Sequence, residues 1–194
     1  YFPIFDESTF HKLWNNKTIN PIGGEKYKKI IDEKITNLPW GPECVIFSHD
    51  RSCNLKCPSC RTDFIQSKGE ERTNSEKIQE KILEYAMNDA NELYITASGD
   101  GFGGEFWRNL LKSITMKKYP NTKNLHLHTN GNGWTEKMWN YLSNLHLIPR
   151  ITAEISIDAC TKETYEEIRL GGKWDILYNN LHFIFTNELY NKRN

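Results

Sequence analysis

The sequence predicts an α/β fold built on a parallel sheet, either doubly wound or forming part of a (β/α) barrel. Three observations predict it. Short apolar runs alternate with helical patterns at least four times. The connecting lengths suit helical crossovers, which favour parallel strands covered on both faces. The polar and glycine-dense segments all follow strands, so they gather at one rim, where both architectures place their sites.

Residues 1–42 read as an N-terminal extension, punctuated by Pro3, Pro21, Gly23, Gly24, Pro39, Gly41 and Pro42. A short helix is expected over 25–35, where Tyr27, Ile30, Ile31 and Ile35 form an approximate helical stripe. The main domain is expected over 43–194. CVIFS after Glu43 is its first strand, and a cysteine-rich loop follows. Residues 75–89 form an amphipathic helix capped by Ser75, with Ile78, Ile82, Leu83, Tyr85 and Ala86 on its buried face. ELYITAS (92–98) is the second strand and SGDGFGG its loop. A helix follows over 106–116, then NLHLHTN (124–130) as the third strand, with a turn at Gly131-Asn132-Gly133. A helix over 135–145 precedes ITAEISID (151–158), the fourth strand. Residues 161–169 are helical, a further helix follows Gly172, and LHFIFTN (181–187) is the fifth strand.

The chain carries 25 basic and 25 acidic side chains, so its formal net charge is zero. That balance gives no support for a nucleic-acid or anionic-membrane binder. No apolar run approaches the roughly 18 residues of a membrane-spanning helix. The opening YFPIFDESTFHKLWNN lacks the basic and apolar regions of a signal peptide. A soluble, cytoplasmic protein is expected. Because the sequence opens on Tyr1, it is expected to be a fragment or a processed product.

Of five cysteines, Cys53, Cys57 and Cys60 lie together in HDRSCNLKCPSCRTD. Cys44 and Cys160 are isolated and expected to pack. Three thiolates so spaced can converge on one metal centre. A closed zinc site needs a fourth ligand, for which His49 would be an unusual choice. An iron–sulfur cubane instead takes three cysteines and leaves one iron open. Arg51, Lys56 and Arg61 flank the loop and favour thiolates. A zinc knuckle or a redox loop is the alternative.

The Cys53-x3-Cys57-x2-Cys60 loop after the first strand resembles the hallmark of the radical S-adenosylmethionine enzymes. The resemblance spans roughly residues 43–187 and is closest to members with SPASM or twitch domains. It implies a partial (β/α)6 barrel and a [4Fe–4S] cluster whose open iron is chelated by S-adenosylmethionine. Reductive cleavage of that cofactor then yields methionine and a 5′-deoxyadenosyl radical, which abstracts hydrogen from a substrate. Ser98-Gly99-Asp100-Gly101 resembles the family's Gly-Gly-Glu-Pro motif, which receives the methionyl amino group, with Asp and Gly replacing Glu and Pro. Thr129-Asn130-Gly131 resembles the loop after strand three, and Ser156-Ile157-Asp158 the SxD after strand four. By that analogy Ser156 lies near the ribose or the methionyl carboxylate, and Arg169 pairs with the carboxylate. Ser59 stands where many members carry an aromatic residue.

The resemblance also implies a reductant protein, such as flavodoxin or ferredoxin, and a peptide or protein side chain as substrate. The expected strands fall short of a complete barrel, so the core is expected to be truncated at its C-terminus. A core inactive on its own is therefore an alternative. His126 and His128 share one face of strand three and are expected to pack or hydrogen-bond locally. Trp107, Trp134, Trp139 and Trp174 are expected in helix packing, and His49 beside the cluster.

Overall fold

The computed structural model describes residues 24–96 and 98–186. The expected punctuation at Pro3, Pro21 and Gly23 lies outside them, as does Asn187 at the end of the expected fifth strand. The chain divides into two compact units, Tyr1–Trp40 and Gly41–Asn194. In the first, helix α1 spans Gly24–Asp32. Its end is set by Lys34, at φ 52°, and by a hydrogen bond from Ile35 N to Ile30 O at 2.9 Å. That reversal satisfies a terminal carbonyl and stops the helix before Ile35.

The second unit is built on four strands: β1 (Cys44–Phe47), β2 (Glu92–Ile95), β3 (Asn124–Thr129) and β4 (Arg150–Ile155). They are parallel and lie in the order β1-β2-β3-β4. Val45 pairs with Leu93, Leu93 with Leu125 and Leu125 with Ile151, so apolar residues line up across the sheet. The order is sequential, without the reversal that defines a doubly wound sheet. Right-handed crossovers that always step the same way put their helices on one face. The burial pattern agrees. Val45, Phe47, Leu93, Ile95, Leu125 and Leu127 are buried, while Ile46 and Tyr94, on the opposite face, are exposed. The expectation of a sheet covered on both faces therefore fails among the described residues.

The connecting helices are α2 (Gly69–Tyr85), α3 (Glu105–Ser113) and α4 (Glu136–Tyr141), the last followed by a 3-10 turn (Ser143–Leu147), and α5 (Lys162–Ile168) follows β4. Phe106, Trp107, Leu110 and Leu111 of α3 and Trp139 of α4 form the core with the strands, joined by Ile82, Leu83 and Ala86 of the α2 segment. Trp134 is buried there too, stacked on Phe102 at 4.8 Å.

Four further expectations need correcting. Ser75 does not cap α2, which begins six residues earlier. It is buried inside the helix, and its hydroxyl donates to His49 O at 3.1 Å. Ile78 and Tyr85 are exposed because the inward stripe runs through Ser75, Gln79, Ile82, Leu83 and Ala86 at helical spacing. Cys44 and Cys160 are exposed rather than packed. For Cys44, strand alternation turns Val45 and Phe47 inward and leaves the thiol on the open face.

The fourth correction is the largest. The expected fifth strand is the second half of helix α6, Trp174–Thr186. LHFIF read alone is a short, aromatic-rich apolar run like a strand. Across the whole segment, however, the buried residues are Leu177, Asn180 and Ile184, spaced as on one helical face. No described helix is long and apolar enough to cross a membrane.

Candidate functional site

The cysteine loop leaves β1 through a tight turn in which Asp50 Oδ1 accepts Ser52 N at 2.8 Å. Cys53 N donates to Ile65 O at 2.8 Å, pinning the loop to its own return. Pro58 sets the next turn, with Cys60 N and Arg61 N both reaching Cys57 O, at 2.9 and 3.0 Å. Cys53 and Cys57 are buried and Cys60 is exposed.

Each of the three sulfurs faces an N–H donor. Leu55 N lies 3.4 Å from Cys53 Sγ, and Asn130 Nδ2 lies 3.8 Å from it. Arg169 Nη1 reaches Cys57 Sγ at 3.4 Å. Arg61 Nη2 reaches Cys60 Sγ at 3.5 Å and also Ser98 O at 3.1 Å, while Nη1 holds Arg51 O at 2.8 Å. Burial pushes the Cys53 thiol up, with the Leu55 amide and the Arg61 charge working against it. Burial also opposes the charge on Arg61, but its bond to Cys60 and the three neighbouring cysteines raise its pKa overall. The guanidiniums are thus placed to neutralise thiolates.

The second loop packs directly on the first. Asp100 N donates to Ser52 O at 3.0 Å. A Cβ on Gly99 would stand 2.5 Å from Trp107 Nε1 and 2.6 Å from Ser52 O, and one on Gly103 would stand 2.2 Å from Asn54 Oδ1. Glycine is required at Gly99 by the Ser52 carbonyl, and at Gly103 by Asn54, whose side chain and backbone N both crowd the position. Ser98 Oγ lies within donating distance of Ser48 O and Asp50 O, at 2.7 and 3.0 Å. Gly101 turns toward the core, where a Cβ would meet Ile95 and Leu111.

Asp100 is 1% exposed. Its Oδ1 accepts Phe102 N and Gly103 N at 3.0 and 2.7 Å; its Oδ2 accepts Thr129 Oγ1 and Asn130 N at 3.0 and 2.7 Å. Burial pushes this carboxyl up while the four donors pull it down. Both oxygens are taken by the protein, so the side chain braces the second loop against the third.

The third loop is held by asparagines. Asn132 N donates to Asn130 Oδ1 at 2.9 Å, Lys173 N to Asn132 Oδ1 at 2.8 Å, and Asn180 Nδ2 to Gly131 O at 2.8 Å. Asn132 Nδ2 also bonds Tyr165 OH. These contacts tie the loop after β3 to α5 and α6. Ser156, beyond β4, lies 3.1 Å from His128 Nε2. Asp158 does not cap α5, a role taken by Thr161, whose side chain accepts Thr164 N. Asp158 instead forms an ion pair with Arg169 Nη2.

A cavity of ≈ 210 Å³ gathers Cys53, Cys57, Cys60, Ser98, Gly99, Asp100, Thr129, Asn130, Ser156 and Arg169 on its walls. Of the sequence-predicted residues, Gly101 and Asp158 are absent from that lining. A second cavity of ≈ 250 Å³ lies on the open face of the sheet, and Thr96 and His128 line both. There Tyr94 stacks on His126 with centroids 4.1 Å apart, and His126 Nδ1 bonds Thr152 Oγ1. His49 does not reach the cysteines by a hydrogen bond. Its ring packs against Phe47, Phe106 and Trp107, and its nitrogens have no partner among the described residues.

Arg61, Asn54 and Asn132 carry as much of the site as the motif residues do. Arg61 had a signal in its charge beside Cys60. Asn54 and Asn132 had none, because an asparagine in a loop is also an ordinary turn former.

Among the described residues, no three His, Cys, Asp or Glu side chains converge as ligands of one ion. A cubane spreads its cysteines over separate irons and asks for thiolates around one cavity. The chemistry of the donor set suits that demand: three cysteines line the same cavity, each facing an N–H, with two guanidiniums beside them.

No family model matches the chain, and comparison with curated proteins finds no match. Among solved structures, the chain is similar to the crystal structure of Streptococcus suis SuiB bound to S-adenosylmethionine. The identity is 17% and the TM-score 0.44, over 84% of this chain and 37% of that one. This chain thus spans little more than a third of that structure's length.

Proposed function

We propose that this chain is the cofactor-binding core of a radical S-adenosylmethionine enzyme, with Cys53, Cys57 and Cys60 holding a [4Fe–4S] cluster. The observation that carries this reading is the shared cavity. The three sulfurs line it together with the loops after β2, β3 and β4, and each sulfur faces an N–H donor. A sheet that steps in one direction with helices on one face also has the form of a barrel wall.

When bound, the cluster supplies one electron for reductive cleavage of S-adenosylmethionine, ahead of hydrogen abstraction from a substrate. The protein's own part is charge, orientation and exclusion of water. Arg61 and Arg169 offset negative charge at Cys60 and Cys57. Ser98 and Gly99 line the cavity, and the second lone pairs of their carbonyls, beside the bonds from Arg61 and Thr96, are proposed to receive the methionyl ammonium. Asp100 fixes that loop but has no free oxygen for the task. Arg169 can turn from Asp158 to a carboxylate, and Ser156 lines the same cavity. A substrate is proposed to approach from the open sheet face, whose cavity shares Thr96 and His128 with this one. A peptide or protein side chain is the proposed substrate, and a flavodoxin- or ferredoxin-like protein the proposed electron donor.

Anaerobic reconstitution tests the reading. About four irons per chain are expected, with methionine and 5′-deoxyadenosine released under reducing conditions and both products lost in Cys57→Ala. One zinc per chain with no iron uptake would overturn it in favour of a zinc-binding domain. Iron uptake with no cleavage would limit the reading to a cluster-binding core without activity of its own.

A further inference from the structure

We infer that Asn130 is a positioning residue that holds an amide N–H against the Cys53 sulfur and so raises the reduction potential of the cluster. This rests on the cluster assignment above and goes beyond it.

The Asn130 side chain is buried and its orientation is fixed by its neighbours. Asn132 N can only donate, so the group facing it at 2.9 Å is Asn130 Oδ1. Nδ2 therefore points the other way. One of its hydrogens goes to Asn54 Oδ1 at 2.8 Å. The second is directed at Cys53 Sγ, 3.8 Å away, a distance suited to the large sulfur atom. The backbone beneath is equally constrained, because Asn130 N is bonded to Asp100 Oδ2 at 2.7 Å. The amide can neither flip nor withdraw without breaking a buried hydrogen bond.

Asn54 completes the arrangement. It lies next to Cys53 in sequence, and its side chain occupies the space left by the missing Cβ of Gly103. The network thus links the loop after β3 to the loop after β1 at one cysteine. Cys53 is itself buried, so an N–H dipole aimed at its sulfur is weakly screened. Hydrogen bonds to cysteine sulfurs draw electron density from the ligand and stabilise the more negative, reduced cluster. Removing one favours the oxidised form.

The test is a redox titration of the anaerobically reconstituted full chain, followed by the EPR signal of the reduced cluster. Asn130→Asp keeps the oxygen that accepts Asn132 N and removes the donor. Asn54→Ala adds no charge and releases the amide from its anchor, while also removing an oxygen 4.0 Å from Cys53 Sγ, which works against the shift. With iron content unchanged, Asn130→Asp is expected to move the equilibrium about tenfold toward the oxidised form, which is about 59 mV for one electron. Asn54→Ala is expected to give a smaller shift of the same sign. If Asn130→Asp fails to fold, the Asn54→Ala shift alone decides. Unchanged potentials in loaded protein would overturn this inference and leave the cluster assignment standing. A shift in Asn130→Asp with Asn54→Ala unmoved would assign the effect to added charge and also overturn it. A wild-type chain that takes up no iron would overturn both.

Discussion

Arg169 Nη1 lies 3.4 Å from Cys57 Sγ, joining residues 112 positions apart in the chain. The same guanidinium pairs with Asp158 through Nη2, and among the described residues its buried Nε has no partner. Arg169 is therefore held beside the cysteines by a carboxylate that is itself more than half exposed. An exposed partner can be exchanged for a ligand's carboxylate at little cost.

From this pair, opposite effects on cofactor affinity are expected. Arg169→Ala should weaken S-adenosylmethionine binding to the loaded protein roughly tenfold, the scale of one charged hydrogen bond. Asp158→Asn removes a competitor for the guanidinium and should tighten binding. Isothermal titration of both variants checks this. A weakening in Asp158→Asn would show that the carboxylate positions Arg169 rather than competing for it.

Asp100 should matter to stability first. Replacing it with alanine leaves four buried donors without an acceptor. The expected loss is about 3 kcal/mol or more, measured by urea denaturation. Asp100→Asn keeps the volume and some acceptor capacity, and should lose less.

Gly99→Ala tests the close approach of the first two loops. The added methyl would stand within 2.6 Å of Ser52 O and nearer still to Trp107 Nε1. The loops must separate, at a cost of about 1–3 kcal/mol. Trp107 is fully buried, so a change in its fluorescence emission should accompany the lower denaturation midpoint.

His49 gives a pH dependence with a definite sign. Burial lowers its pKa from 6.5, with Asp50 working the other way. Between the lowered folded value and 6.5, the unfolded chain binds more protons than the folded one. The contribution of a neutral His49 is therefore fully present above pH 6.5 and declines as pH falls through that window. His49→Phe keeps a ring among Phe47, Phe106 and Trp107 and should flatten this decline. Denaturation midpoints from pH 7.5 down to about 5 compare the two proteins, and parallel curves would sink the assignment.

The first four strands were legible because each is an apolar run bounded by turn residues, and strand alternation is a local property. The helices were legible as existing, less so at their ends. Ser75 looked like a cap from its neighbours, but a cap is defined by where backbone donors run out, and α2 begins at Gly69. The motif residues were legible too, since the cysteine spacing and the glycine-rich loops survive as patterns in a single sequence.

The sequence by itself determined that strands and helices alternate and that three cysteines fall after the first strand. Tertiary structure decided what lies between. Whether LHFIF is a strand or a helix depended on which surface the segment could pack on, and Leu177 and Asn180 of the same helix pack on the loop after β3. The work of Asp100 and Asn130 also could not be read locally. A carboxylate among glycines can face a ligand or a neighbouring loop, and only the contacts from Thr129 and Asn130 distinguish the two. The physical reason is common to both cases. Periodicity is written along the chain, whereas the partners that satisfy buried polar groups come from segments tens of residues away.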